Sequence, residues 1–435
     1  MKRLAFVYTS ILIFSLCGKN VSAQIASGFH NPTFGALGFA QGSAFSARAN
    51  DASAIVYNPA GLTQLERPQI SLGASFIYGK VDYHGDGISD EMDSYDIVPN
   101  MFFASPIIED KLAVGLGITA PYGLGGRWEE DGFSRYTITD FFLSVININP
   151  TLTYKPFSFL SVGVGLDYYY AKTDLENRVN VGLINASLTG IPIDTSTSDG
   201  FQDFDDLHGD GLGYNIGILW NITERNSVGI SFRSKADLDL KGKTKFSNLS
   251  GAIAEVFGSD SFSTQTKTRA TLPEMLTFGY AYRHGDRWSI EADIQWTNWS
   301  RFDILNFHFN PTNSLLDASN KNVRNWDNTL GFALGGEYKL SEAIKLRGGY
   351  FFHESPVPSD TFEPAIAQSS RHGLTTGIGY SWGKKLNKWI DFAYGEVFYE
   401  NRKVNNSVGD NIGGPIDGDY DTFNHIVLIN FNYQF

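Results

Sequence analysis

Side chains capable of chemistry are scattered along this chain rather than gathered. There is no HExxH pair, no GxSxG elbow and no phosphate-cradling glycine loop. The eight histidines are dispersed, with His284 in an expected turn and His353 on an expected strand. A Ser–His pair brought together by folding is the one hydrolytic arrangement left open. Cys17 is the single cysteine and lies in an N-terminal apolar run, so the chain beyond it has no thiol, disulfide or cysteine metal site. Asp199, Asp203, Asp205, Asp206 and Asp210 could offer oxygen ligands to Ca²⁺. A solvated loop accounts for them more simply, and no metal or cofactor is expected. The concentrated signal is apolar. Leu249, Ala252, Ile253, Val256 and Phe257 fall at i, i+3, i+4, i+7 and i+8, the stripe of an amphipathic helix. Residues 181–193 carry Leu183, Ile184, Leu188 and Ile191. These two stretches pack on one another or together form a greasy groove.

The elements around them read as strands. The chain ends in FNHIVLINFNYQF, with Val427, Ile429, Phe431, Tyr433 and Phe435 on one face and Asn430, Asn432 and Gln434 on the other. Trp288, Ile290, Ala292, Ile294 and Trp296 alternate with Ser289, Glu291, Asp293, Gln295 and Thr297. The two tryptophans stand roughly 26 Å apart along the strand, about the height of an outer-membrane apolar band. Ile344, Leu346, Tyr350 and Phe352 oppose Lys345, Arg347 and His353, so the charged face belongs to a lumen. Past the N-terminus no apolar run approaches 18 residues, which excludes helical spans but not a barrel.

Lys2 and Arg3 precede an apolar run, and Val21-Ser22-Ala23 offers a small-x-small cleavage site, so residues 1–23 read as a secretory signal. Removing Lys2, Arg3 and Lys19 makes a chain of net charge −13 more acidic still, which argues against nucleic acid as a partner. Connections alternate short and long, the asymmetry of an outer-membrane barrel. The expected architecture is an all-β membrane protein. It has about 14 antiparallel strands over residues 67–435, closed without edges. Its terminal Phe435 is the kind of residue that barrel insertion machinery reads. Residues 24–66 lack the strand pattern, and their aromatic content and low charge favour a plug in the lumen over a periplasmic linker. Gly115 and Gly117 fall within the third strand, where glycine marks a bend or plain curvature.

Residues 52–65, ASAIVYNPAGLTQL, resemble the hatch motif of the FadL-type long-chain fatty acid transporter family, centred on Asn58, Pro59, Ala60 and Gly61. APYGLGGRW at 120–128, LPEM at 272–275, ESPVP at 354–358 and the terminal NYQF resemble further family landmarks in the same order. The resemblance implies a monomeric 14-stranded barrel in the Gram-negative outer membrane, among its lipids and lipopolysaccharide, with a hatch at residues 24–66. It implies passive uptake of hydrophobic molecules, long-chain fatty acids first. Capture would occur in an outer groove (Leu183, Ile184, Leu188, Leu249, Ile253, Val256, Phe257). Exit would be lateral at a third-strand kink, with Gly115 and Gly117 as candidates, and residues 24–29 would respond to ligand. Arg178 and Arg324 are the nearest matches to the family's carboxylate-binding bases. They, Lys345 and Arg347 could equally neutralise lumen acids such as Glu291, Asp293 or Glu337. Neutral aromatic hydrocarbons are the alternative cargo, and a general porin the more distant one.

Overall fold

The structure is a computed structural model and describes residues 28–194, 196–405, 414 and 416–435. The expected signal segment lies outside these residues. Alternating apolar and polar residues close into a fourteen-strand antiparallel barrel. The strands are β1 (Gln69–Gly85), β2 (Ile88–Ile108), β3 (Leu112–Arg127), β4 (Asp140–Phe157), β5 (Leu160–Val179) and β6 (Gly200–Asn221). β7 runs Asn226–Arg233 and Ala236–Ser247, and β8 runs Phe262–Leu272 and Met275–His284. β9 is Trp288–Thr297, resumed at His308–Asn310. β10 (Thr329–Lys339), β11 (Ile344–His353), β12 (Arg371–Trp382), β13 (Lys388–Tyr399 and Arg402–Val404) and β14 (Gly418–Gln434) complete the wall. β14 pairs with both β13 and β1, so the sheet has no open ends.

The faces are sorted by polarity. On β9, Ile290 and Ile294 are 47% and 53% exposed, whereas Glu291 and Asp293 are 2% and 5% exposed. An apolar exterior over a charged interior inverts a soluble sandwich and suits lipid. Aromatic side chains mark the short-turn end, where Phe157 stacks on Phe159, Tyr380 on Trp382, and Phe435 meets Tyr433 edge-on. β1 and β2 meet in a tight hairpin, where Asp86 and Gly87 both take positive φ (49° and 77°), the pair a type I′ turn needs. The acidic run from Asp203 to Asp210 is the outer part of β6 rather than a loop.

Residues 28–66 fill the lumen. They form two single-turn helices, α1 (Ala36–Phe39) and α2 (Ala54–Tyr57), and a 3₁₀ turn at Pro59–Gln64. Such short helices leave many backbone groups unmade, so the wall must supply partners. Asp293 accepts from the N–H groups of Phe45 and Ser46, each at 3.1 Å, and Glu291 from that of Ala47 at 2.5 Å. Asn58 caps the 3₁₀ turn by accepting from Ala60 N–H at 3.1 Å, and its amide donates to Ser46 O and Ile218 O. Pro59 sits where a missing N–H is harmless, and its carbonyl accepts from Thr153 at 2.6 Å. A Cβ on Gly61 would lie 2.0 Å from Ala49 O, which explains the glycine that follows Ala60.

The lumenal bases find lumenal acids. Arg347 donates to Glu337 at 2.7 Å and Asp391 at 2.6 Å, and Lys345 lies 3.5 Å from Glu337. Removing one partner of a buried pair leaves a charge uncompensated, at a cost of about 3–5 kcal/mol. Arg347→Ala is therefore expected to lower the temperature of the folded-to-unfolded band shift on SDS gels. Arg347→Lys should recover part of it, and an unchanged transition would refute the pairing. Wall glycines are the second constraint. A Cβ on Gly349 would stand 2.1 Å from the Gln41 carbonyl carbon. Gly349→Val is expected to unseat residues 38–45 and raise ion conductance in planar bilayers, with the barrel still folded. A variant as tight as wild type would count against a seated plug.

Candidate ligand cavity and the interrupted third strand

Above the lumenal segment lies a cavity of about 1300 Å³. That exceeds the roughly 300–1,000 Å³ of ordinary small-molecule pockets. Its wall is the inward face of β4 to β8, with Leu143, Leu175, Leu207, Leu240 and Leu272 turned into it. Its roof is built from outer loops. α3 (Val181–Thr189) is capped by Asn180, which accepts from Leu183 N–H at 2.9 Å, and ends in left-handed Gly190. α4 (Ala252–Phe257) packs beside it, tied by Asn185, whose amide oxygen accepts from Ile253 N–H at 2.8 Å. α5 (Ser314–Ala318) contributes Leu315 and Leu316.

The groove residues read from sequence divide. Leu183, Ile184, Ile253 and Phe257 line the cavity. Leu249 is buried behind them in the cluster that joins the two helices. Leu188 is 42% exposed and Val256 half-buried, and neither lines the cavity. The two readings of the loops thus coincide, with one set of faces packing the helices together and another facing the space.

Arg178 and Arg324, far apart in sequence, both line this cavity. Arg178 lies over the Phe201 ring and reaches Asp131 at 3.1 Å and Glu130 at 3.3 Å. Arg324 is bound to Glu363 at 2.5 Å, and its buried Nε has no hydrogen-bond partner. Lys321, which nothing in the sequence pattern marked, lines the same space. Burial pushes up the Tyr136 hydroxyl at the cavity edge, so it stays a neutral donor.

The floor is Phe29. Its ring meets Trp299 at 4.9 Å, Phe302 at 5.3 Å, Trp326 at 5.7 Å and Tyr122 at 5.8 Å. Edge-on and tilted aromatic pairs of this kind contribute about 0.5–1.5 kcal/mol each beyond area burial. Trp299, Phe302 and Trp326 escaped the sequence reading because they lie between strands, where no period flags them. Gly28, at φ +58°, has no room for a Cβ, which would meet Trp299 and Trp326 at 2.7 Å. His30, next in line, faces a second, small cavity shared with His353, Thr119 and Pro121. Burial, with the fields of Arg233 and Arg371, pushes the His30 imidazole down to about 3, so it is neutral at physiological pH.

The wall is interrupted beside this point. β3 pairs with β2 only as far as Met101↔Ile118. Beyond that β2 keeps its ladder to β1, and β3 keeps its ladder to β4 up to Arg127↔Asp140, with a register shift between Thr119 and Tyr122. The freed edge of β3 turns to the lumenal segment instead. Asn31 N–H donates to Pro121 O at 2.7 Å, Gly123 N–H to Phe29 O at 3.0 Å, and His30 bridges Tyr122. This corrects the expected kink position. Gly115 and Gly117 lie in regular pairing, and a Cβ on either would strike Ile55, and at Gly115 also Leu62. They make room for the lumenal segment, and the break comes at Ala120-Pro121, where proline has no N–H to give the ladder.

A plugged outer-membrane barrel with a large apolar outer cavity is the class these observations define. The model of the outer membrane protein transport family (OMPP1/FadL/TodX) matches residues 20–435, and the chain belongs to that family. A long-chain fatty acid transport protein of Escherichia coli O6:H1 is 28% identical over 393 residues, covering 85% of this chain and 86% of that one. The crystal structure of a Pseudomonas aeruginosa FadL homologue superposes with a TM-score of 0.86 at 22% identity, over 94% of this chain and all of that one. The Pseudomonas putida toluene transporter TodX gives 0.72 at 18% identity, over 92% and 98%. At those identities the two structures speak for the fold.

Replacing a buried Phe by Ala costs about 3–5 kcal/mol. Phe29→Ala is expected to release the segment locally, seen as lost hydrogen-exchange protection at Asn31 and Gly123 with the β5–β6 ladder unaffected. Equal protection in variant and wild type would mean that the aromatic cage does not hold the segment.

Proposed function

We propose that this outer-membrane transport protein takes up hydrophobic molecules passively, long-chain fatty acids foremost. The observation that carries the proposal is the outer cavity: leucine-rich walls, three cationic side chains (Arg178, Lys321, Arg324), and a floor made by the same segment that pairs with the broken strand. Each buried methylene contributes about 0.8 kcal/mol, so the walls favour a long acyl chain. The unpartnered Nε of Arg324 and the ammonium of Lys321 offer donors to a carboxylate. A ligand that displaces Phe29 also disturbs the hydrogen bonds of Phe29 and Asn31 to β3. It would then pass His30 toward Ala120-Pro121 and leave sideways between β2 and β3. In this reading residues 24–66, of which 24–27 lie outside the described residues, act as the hatch, centred on Asn58–Gly61, and the protein works as a monomer.

Uptake of neutral aromatic hydrocarbons is the second reading. It is favoured by the acids already bound to Arg178 and Arg324, which leave less charge for a carboxylate. A general porin fits poorly with a lumen filled by residues 28–66. Native mass spectrometry with oleate and with toluene separates the readings. Oleate is expected to bind and to weaken about tenfold in Arg324→Ala and Lys321→Ala. Chain shortening should cost about four-fold per methylene. Binding of toluene alone would move the assignment to hydrocarbons. Binding of neither, with steady conductance, would overturn both in favour of a pore.

A further inference from the structure

The short turn between β12 and β13 carries three lysines and no acid: Lys384, Lys385 and Lys388. The other short turns that hold a base also hold an acid. Lys111 follows Glu109 and Asp110, Arg225 follows Glu224, Arg287 follows Asp286, and Lys339 binds Glu342 at 2.7 Å. Lys384, Lys385 and Lys388 are all exposed, and among the described residues none of them makes an ion pair, with a side chain or with the C-terminal carboxylate. The backbone does not select lysine here. Lys385 and Leu386 take left-handed φ of 56° and 53°, where glycine or asparagine would sit more easily.

Height in the membrane is set by all three strands that meet at this turn. The register places Lys388 directly opposite Trp382 of β12 on one side and Tyr433 of β14 on the other. The outward residues next in line are Tyr380 on β12, Ile390 and Phe392 on β13, and Phe431 on β14, which form an apolar surface. A tryptophan and a tyrosine beside a lysine, at the edge of such a surface, mark the membrane–water interface. The short-turn end of an outer-membrane barrel faces the periplasm, so this is the inner leaflet. The Lys388 ammonium stands 6.0 Å from the centre of the Tyr433 ring. Its stem covers apolar surface while its charge sits at the head-group level. Lys384 and Lys385 lie in the turn itself, one step further from the apolar band.

The acids around the turn are already engaged. Glu342, in the neighbouring turn, is held by Lys339. Asp391, the next acid along β13, is buried in the lumen and binds Arg347 at 2.6 Å. Asn387 ties the turn to the terminal strand: its carbonyl accepts from Gln434 N–H at 2.9 Å, and its amide donates to Gln434 O at 3.1 Å. The lysines are thereby kept beside the lipid-facing aromatic side chains. In a chain with 47 acids and 34 bases, a turn of three unpaired lysines at this level calls for an anion from outside. An acidic phospholipid fits both parts of the surface. Its phosphodiester gives the ammoniums charged acceptors, and its acyl chains lie along the apolar face below. A zwitterionic head group would bring a further ammonium to three already present.

We propose that the β12–β13 turn, through Lys384, Lys385 and Lys388, binds the head group of an acidic glycerophospholipid in the inner leaflet of the outer membrane. The test titrates the full-length protein in detergent micelles with phosphatidylglycerol and with phosphatidylethanolamine of the same acyl chains, read by native mass spectrometry. Wild type is expected to prefer phosphatidylglycerol by about tenfold. Lys384→Gln/Lys385→Gln/Lys388→Gln should lose that preference, and Lys384→Arg/Lys385→Arg/Lys388→Arg should keep it. Lys111→Gln, in a turn that also holds acids, should leave it unchanged. All three variants should show the wild-type heat-induced gel shift and bind oleate like wild type, so failure here is independent of the cargo reading. No preference in wild type, the same preference in the triple Gln variant, or an equal loss in Lys111→Gln would overturn the proposal. So would full competition by millimolar inorganic phosphate, which would make the turn a site for the free ion.

Discussion

The lumenal segment is held by contacts that leave almost no freedom in the wall. Four consecutive N–H groups, from Phe45 to Arg48, point at two carboxylates on one strand, Asp293 and Glu291. Opposite them the wall has been cut back to glycine. A Cβ on Gly163 would meet the Pro59 carbonyl carbon at 2.5 Å, one on Gly229 would meet Ser46 O at 2.1 Å, and one on Gly335 would meet Gln41 O at 2.1 Å. A segment with so little regular structure can be buried only if its backbone is satisfied from outside, and close approach is how the wall does so. The 45 glycines of this chain are in part the imprint of that fit.

The same packing explains why the outer half differs from the inner. Where the segment fills the lumen, the inward faces carry polar and small residues that bond its backbone, such as Thr153, Asn215 and Ser227. Above Phe29, the inward faces of β5 to β8 turn largely to leucine and phenylalanine, with polar residues such as Thr173, Gln202 and Thr268 between them. The boundary between plug and cavity is thus written into single strands. β6 runs from Asn215, which donates to Ile55 O, to Leu207 and Phe204 in the cavity wall. The cavity roof is held together by α3 and α4, which pack on each other over Leu249 and Phe246.

Much of the wall was legible because period 2 survives burial. The Trp288–Trp296 row and the terminal strand face as their alternation requires. The amphipathic spacing around Ile253 found a helix but could not say which neighbour each side chain would meet. Leu249 therefore went behind the cavity and Leu188 outside it. Gly115 and Gly117 misled for a definite reason. A strand glycine marks either a bend or a close approach, and only the third dimension shows Ile55 above them. Phe302, Trp299 and Trp326 left no trace in the pattern, since aromatic residues in an irregular stretch carry no period. Arg178 and Arg324 were visible as charges, while their meeting in one cavity depends on barrel closure.

The break between β2 and β3 is the feature hardest to reconcile with a membrane, and the lumenal segment accounts for it. Unpaired N–H and C=O groups at bilayer depth each cost several kcal/mol, so a strand cannot simply leave its neighbour. β3 does leave at Ile118, and the backbone of Phe29 and Asn31 takes up Gly123 N–H and Pro121 O. The segment is therefore a lid on the cavity floor and also a substitute strand for the wall. On the proposed transport reading, these two duties supply the coupling. A ligand that enters deeply enough to compete with Phe29 for the aromatic cage weakens the pairing that lets β3 fold inward. The energy of that competition comes from apolar burial in the cavity, so no other energy source is needed to open a route past the segment.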